Sequence, residues 1–175
     1  MNKKSTSNQL ARECIVTALI HLSKQKPFSS ITISELTEKA GVSRMTYYRN
    51  YNSKEEVFQS YIDEIFDLYK KEFAQHPKPK TYGEYNSILQ CFQYFEKYNE
   101  FISCLISIGM GHMILTPLSN YIMETYYTEP QASPKLYYTL VAYAGALFSV
   151  YIAWMSSGMK VTPEELAKLL CVPHV

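Results

Sequence analysis

Residues 32–54, TISELTEKAGVSRMTYYRNYNSK, decide how this chain is read. Thr32-Ile33-Ser34-Glu35 is a capping box, in which the Thr hydroxyl accepts from the third amide of a helix while the Glu carboxylate reaches back to the cap amide. A helix therefore starts at Thr32. It stops at Gly41, because a residue without Cβ enters the left-handed conformation that ends a helix at no steric cost. After the hinge Ala40-Gly41-Val42 comes SRMTYYRNY, a helix-length run of basic, hydroxyl and aromatic side chains that suits a nucleic-acid duplex better than a protein core. Ser53-Lys54-Glu55-Glu56 is a second capping box and opens the next helix.

Working outward, Leu10, Ala11, Cys14, Ile15, Ala18, Leu19 and Leu22 recur at three- and four-residue steps, which predicts a first helix from about Asn8 to Gln25. Lys26-Pro27 ends it, and Phe28, Ile31 and Ile33 are placed to fill the gap that follows. Leu36 and Ala40 can pack on the first helix. The short run Arg44 to Asn50 is too brief to stand alone and needs its neighbours. Val42, Tyr47 and Tyr51 share the inward phase, so Arg44, Met45, Tyr48 and Arg49 project outward. From Lys54 to about Ala74 a broad apolar stripe, including Val57, Phe58, Ile62, Ile65, Phe66 and Tyr69, predicts a helix that links two groups of helices.

His76-Pro77-Lys78-Pro79-Lys80 breaks the chain. Beyond it, helices are expected over Tyr85–Lys97, Phe101–Ile108 and His112–Tyr127, the last with a kink at Pro117. A loop spans Thr128–Pro134. The long uncharged run to Gly158 is one helix, and Thr162-Pro163-Glu164-Glu165 opens a final short one with a capping box and a first-position Pro. No strand pattern and no repeat is present in the sequence. The expected architecture is all-α. A helix-turn-helix DNA-binding domain over 1–54 is joined by the linking helix to a dimerisation and effector domain over 55–175.

Charge supports that division. Through Lys54 there are nine basic and three acidic residues, a balance of +6, and the remainder balances to −5. An anionic partner is implied for the first third only. Cys14, Cys91, Cys104 and Cys171 have no metal or redox spacing and read as reduced residues of a cytoplasmic protein. The start, MNKKSTSNQLAREC, has no apolar signal region. Leu136 to Met159 carries no charge and is long enough to cross a bilayer. Tyr137, Tyr138, Tyr143 and Tyr151 are nevertheless spread along it, which favours a helix covered by its own domain and a second subunit over a membrane anchor.

A capped helix, a Gly turn and a short basic and aromatic helix, ahead of another capped start, form a helix-turn-helix. The stretch TISELTEKAGVSRMTYYRNYNSKEEVF resembles the DNA-binding signature of the TetR family of bacterial transcriptional regulators. The likeness covers roughly residues 8 to 58 and rests on Thr32, Ala40, Gly41, Val42, Ser43, Thr46, Tyr48, Ser53 and Lys54. The C-terminal run YAGALFSVYIAWMSSGMKVTPEELAKLL is similar to the final helices of short members. The resemblance implies a homodimer on double-stranded DNA at a palindromic operator. Arg44, Met45 and Tyr48 would face base edges, Arg44 on guanine and the other two on thymine methyls. Thr32 and Ser34 would present a hydroxyl and amides to phosphate. Ser43, Thr46, Tyr47, Asn50 and Lys54 would lie near the DNA backbone, with Lys54 the main phosphate contact. The sequence departs from the family pattern at Met45, where many members have Gly, and at Tyr47, where many have Leu.

In the C-terminal part, Tyr85, Phe92, Phe95 and Phe101, with Met110, His112, Met113, Tyr121, Met123 and Tyr126, are candidates to line a pocket for a small apolar or aromatic effector. Filling a core is the other reading of each aromatic. Ala142, Gly145, Ala146, Ser149 and Ala153 make a stripe of small residues suited to close helix approach across a dyad, with Trp154, Leu166, Leu169 and Leu170 completing the interface. Packing within the chain is the alternative. No catalytic set, metal-ligand spacing or cofactor motif stands out, so neither an enzyme nor a cofactor is expected. Two other functions fit less of the sequence. One is an activator or co-regulator whose C-terminal domain docks a protein, and the other is a helical interaction protein held at a membrane.

Overall fold

The computed structural model describes residues 3–75, 79–128 and 133–171. Among them are nine α-helices, one 3-10 turn and no strand, as the all-α expectation requires. The expected loops at 76–80 and 128–134 lie partly outside the described residues. By contacts the chain divides into one unit of Met1–Ile65 with Cys104–Met110, and another of Phe66–Ser103 with Gly111–Val175.

In the first unit, α1 (Lys3–Ser23) packs on α2 (Ile33–Ala40) and α3 (Arg44–Asn50). Ile15, Leu19, Leu36 and Tyr47 are fully buried between them. The 3-10 turn Phe28–Ser30 fills the gap after α1, with the Phe28 ring stacked 5.7 Å from Phe58. Next comes α4 (Lys54–Phe73), whose Val57, Phe58 and Ile62 are fully buried. Arg12 ties α1 to the later helices, donating to the Tyr51 hydroxyl at 3.2 Å and to Ser60 Oγ at 2.5 Å.

Each local lock expected around α2 and α3 is formed. Thr32 accepts from the Glu35 amide while the Glu35 carboxylate accepts from the Thr32 amide at 2.9 Å. Gly41 ends α2 with φ of 65° and ψ of 29°, in the left-handed region where a Cβ is penalised. Ser43 accepts from the Thr46 amide at 3.0 Å and so caps α3. At the start of α4, Ser53 accepts from the Glu56 amide, but the Glu56 carboxylate turns to the Asn52 amide at 2.6 Å. The second capping box is thus displaced by one residue.

The second unit contains the end of α4 with α5 (Tyr85–Glu96), α7 (His112–Tyr126), α8 (Pro134–Ser156) and α9 (Pro163–Leu170). Between α5 and α7 runs α6 (Asn99–Ser107), divided between the two units. The α5–α9 and α7–α8 pairs are in contact. α7 runs on through Pro117 as one helix. The core is aromatic: the Tyr69 ring lies 4.9 Å from Tyr94 and 5.2 Å from Phe95, while Phe66 lies 5.1 Å from Phe95. Tyr151 donates to the Phe95 carbonyl at 2.7 Å.

Two residues expected at a dimer interface are spent inside the protomer. Trp154 is only 3% exposed, packs 5.6 Å from Phe92 and donates to the Val161 carbonyl at 2.6 Å. Leu166 is buried as well. Both belong to the core, because α9 folds back on α5 and the indole clasps the turn between α8 and α9.

Candidate nucleic-acid interface and cavity

The outward face of α3 has the composition expected of it. Met45 is 81% exposed and Tyr48 60% exposed, three residues apart and therefore on the same side of the helix. Arg44 is exposed beside them, its guanidinium resting on the Ser34 hydroxyl of α2. One basic, one soft apolar and one aromatic group thus share a surface with no apolar neighbour to cover them.

Tyr47 takes the inward place that its phase predicts and corrects the DNA-backbone contact that the resemblance implied. It is 0% exposed, so it cannot reach a DNA backbone. Its ring packs at 5.9 Å from Tyr51 and 5.3 Å from Tyr48, seating α3 on the core. The hydroxyl is buried without a hydrogen-bond partner, and burial pushes its pKa up to about 12.

Lys54 is the second correction. Its ammonium donates to the carbonyls of Phe28 at 2.6 Å and Ile31 at 2.7 Å, and stands 4.7 Å over the Phe28 ring. Two of its three donors are therefore used to bind the start of α4 to the 3-10 turn. The sequence could not reveal this, because both partners are more than twenty residues away.

The remaining polar candidates are engaged locally. Thr32 donates its hydroxyl to Glu35 at 2.8 Å, Ser43 and Thr46 share a hydrogen bond of 3.0 Å, and Asn50 donates to the Thr46 carbonyl at 2.8 Å. Glu35 also binds Lys26 at 2.6 Å. That ion pair, and then the hydrogen bonds from Thr32, lower its pKa to about 2.

In the second unit a cavity of about 410 Å³ is enclosed by α4, α5, α7 and α8. Of the ten residues expected at a pocket, Tyr121 and Tyr126 line it and Met123 does not. Phe92 and Phe95 instead border a void of about 30 Å³, and Phe101 is core. His112 is exposed, Met110 belongs to the first unit, and Tyr85 and Met113 are half-buried away from the lining. Most of these aromatics fill the core, whereas the cavity wall mixes apolar side chains such as Phe73, Leu118 and Ile122 with Ser87, Gln90 and Cys91 of α5 and with Tyr143. Ser87, Gln90 and Cys91, at steps of three and four, are the polar signal in the sequence.

The small-residue stripe of α8 is open. Ala142, Ala146, Ser149 and Ala153 are exposed, and a Cβ placed on Gly145 would meet nothing within 4 Å. Tyr138 and Val141, also exposed, extend it toward the start of the helix. On α9, Leu169 is 76% exposed and Leu170 half-buried. The opposite side of α8, with Leu140, Ala144, Leu147 and Tyr151, is buried in the unit. Among the cysteines, Cys104 is buried, and the four are thiols and not disulfides.

A capped helix, a left-handed Gly turn and a short exposed helix seated by buried tyrosines define a helix-turn-helix protein. Comparison with known proteins specifies the kind. Residues 15–61 match the family described as bacterial regulatory proteins, tetR family, and residues 84–172 match the family described as transcriptional regulator C-terminal region. The chain belongs to the TetR family and is a DNA-binding transcriptional regulator. No curated protein matches it. Among solved structures, Lin0861 from Listeria innocua superimposes with a TM-score of 0.75 at 20% identity, covering 97% of this chain and 91% of that one. NalD, the secondary repressor of the MexAB-OprM multidrug efflux pump in Pseudomonas aeruginosa, gives 0.65 at 16% identity over 94% and 93%. The dihydroxyacetone kinase operon activator DhaS gives 0.60 at 16% identity over 91% of each. At these identities the likeness establishes the fold alone. By length and composition α8 could cross a membrane, but it lies inside the matched regulator region, and regulators of this family are in general soluble and cytoplasmic.

Proposed function

We propose that the protein is a ligand-responsive repressor that binds a palindromic operator as a homodimer, with residues 1–54 reading DNA and 55–175 pairing the protomers and sensing the effector. The observation that carries this reading is the exposed Arg44–Met45–Tyr48 face beside the buried Tyr47 and Tyr51. Arg44 leaves Ser34 to bind a guanine edge, and Met45 with the Tyr48 ring meets thymine methyls. Thr32, Ser34, Ser43, Thr46 and Asn50 follow the phosphates on either side. Lys54 acts chiefly as a clamp within the head, with one N–H left for phosphate.

The open small-residue stripe of α8 supports pairing across a dyad, since two backbones can approach closely only where side chains are small. The exposed Leu169 adds apolar area at α9. An effector that binds better to one separation of the two heads shifts operator affinity in proportion to that preference. NalD is a repressor and DhaS an activator, so the fold they share leaves the sign of regulation to experiment.

The decisive experiment is genome-wide mapping of binding sites followed by site selection in vitro. Recovered sites are expected to be inverted repeats with half-sites about 34 Å apart, or a multiple of that. Arg44→Ala is expected to relax preference at particular base pairs by about 1–3 kcal/mol. Asymmetric sites, or an unchanged sequence logo for the variant, would overturn the reading.

A further inference from the structure

The cavity of the second unit carries a more specific chemistry than a pocket in general. Its volume of about 410 Å³ lies within the size range of small-molecule sites. Among the described residues that line it, none bears a charge. The polar atoms come from uncharged groups, chiefly Ser87, Gln90 and Cys91 on α5 and the hydroxyls of Tyr121, Tyr126 and Tyr143. Lys70, whose charge reaches Tyr121, is paired with Glu124 at 2.7 Å. An ionised ligand entering here would lose water and gain no counter-charge from the described lining residues.

The walls also present rings at usable angles. Tyr69 meets Tyr121 edge-on at 5.0 Å and lies 4.6 Å from Phe73, so an aromatic guest finds both ring faces and ring edges. Each phenol can donate one hydrogen bond and accept others. Tyr143 stands half-buried at this wall, with one hydroxyl proton to donate. Tyr69 lies against both Cys91 and Tyr121, and its single proton serves one of them at a time.

We propose that this cavity binds an uncharged aromatic molecule carrying hydroxyl or amide groups, with Tyr143 donating to it and Gln90 offering both a donor and an acceptor. The proposal rests on the reading that the second domain senses a small effector, and it names the chemical class. It narrows the apolar or aromatic effector expected from the sequence to a polar but neutral one.

The test is calorimetric titration of the full-length protein with 4-hydroxybenzanilide, a neutral two-ring amide, and with the same molecule carrying a carboxylate on its second ring. The neutral probe is expected to bind and the carboxylate to bind more than about 10-fold more weakly, because its charge is desolvated without a partner. Tyr143→Phe keeps the ring, and so the packing, while weakening the neutral probe by about 2- to 10-fold through one lost hydrogen bond. Unchanged thermal unfolding serves as the control for folding. Absence of binding by the neutral probe, equal or tighter binding of the carboxylate, or indifference to Tyr143→Phe would overturn the proposal. Operator release, measured in parallel, separates the two readings. A charged molecule that frees the operator while the neutral probe does not bind preserves effector sensing and removes this chemical class. A neutral probe that binds through Tyr143 without altering operator affinity supports the site and removes its regulatory role.

Discussion

In the reading head, polar side chains at helix ends are tied down: Thr32 with Glu35 and Ser43 with Thr46 in short rings, and Lys54 with the distant carbonyls of Phe28 and Ile31. In the second unit the cavity-lining groups sit along the helices, as Ser87, Gln90 and Cys91 do on α5, and they face an opening. The first arrangement satisfies polar groups to hold one shape. The second spreads its polar groups over the wall of a space. One all-helical chain thus contains a part whose polar groups lock its helix ends and a part whose polar groups line a cavity.

The contrast can be broken most forcefully at the centre of the head. Phe58→Ala removes a fully buried ring stacked on Phe28 and is expected to cost about 3–5 kcal/mol in urea unfolding. A much smaller loss would mean that the head is loosely packed. Next in size is Lys54→Ala, which frees two carbonyls from a charged donor and should cost about 1.5–3 kcal/mol of stability. Unchanged stability with weaker DNA binding would return Lys54 to the phosphate role first expected of it. Tyr47→Phe sharpens the comparison through its sign. It deletes a buried hydroxyl that has no partner, so the variant should be more stable by about 1 kcal/mol. Loss of stability would show that the hydroxyl is satisfied in solution.

The smallest effect concerns pH. The Glu35 carboxyl has its pKa lowered from 4.5 to about 2 in the folded protein, first by Lys26 and then by Thr32. A depressed folded value means that this contribution is fully present above the ordinary carboxyl range and is lost as pH falls toward 2. The gap in urea midpoint between wild type and Glu35→Gln should therefore hold steady above about pH 5 and narrow below it. A gap independent of pH would show that the carboxylate is not held by those partners.

What the sequence disclosed follows the same divide. Caps and the Gly41 turn depend on residues three or four apart, so Thr32, Glu35, Gly41 and Ser43 could be read directly from the chain. The bounds of α3 agree to the residue for the same reason. The clamp that Lys54 makes was not legible, because its carbonyl partners come from a turn distant in sequence. Of the cavity, Tyr121 and Tyr126 were legible as aromatic positions of α7, while Ser87, Gln90, Cys91 and Tyr143 join them only because four helices meet. The α8 stripe was legible as a pattern of small residues. That Trp154 and Leu166 are withdrawn from its surface depends on how α9 folds back, which periodicity does not encode.

The cavity wall is also silent toward protons. Burial raises Cys91 and Tyr126 to about 12 and lifts Tyr69, Tyr121 and Tyr143 above the ordinary phenol value. Every one of these groups keeps its proton from mild acid to mild alkali. A neutral guest would therefore enter and leave without uptake or release of hydrogen ions by these walls, and its occupancy would follow its concentration alone, insulated from swings in cellular acidity.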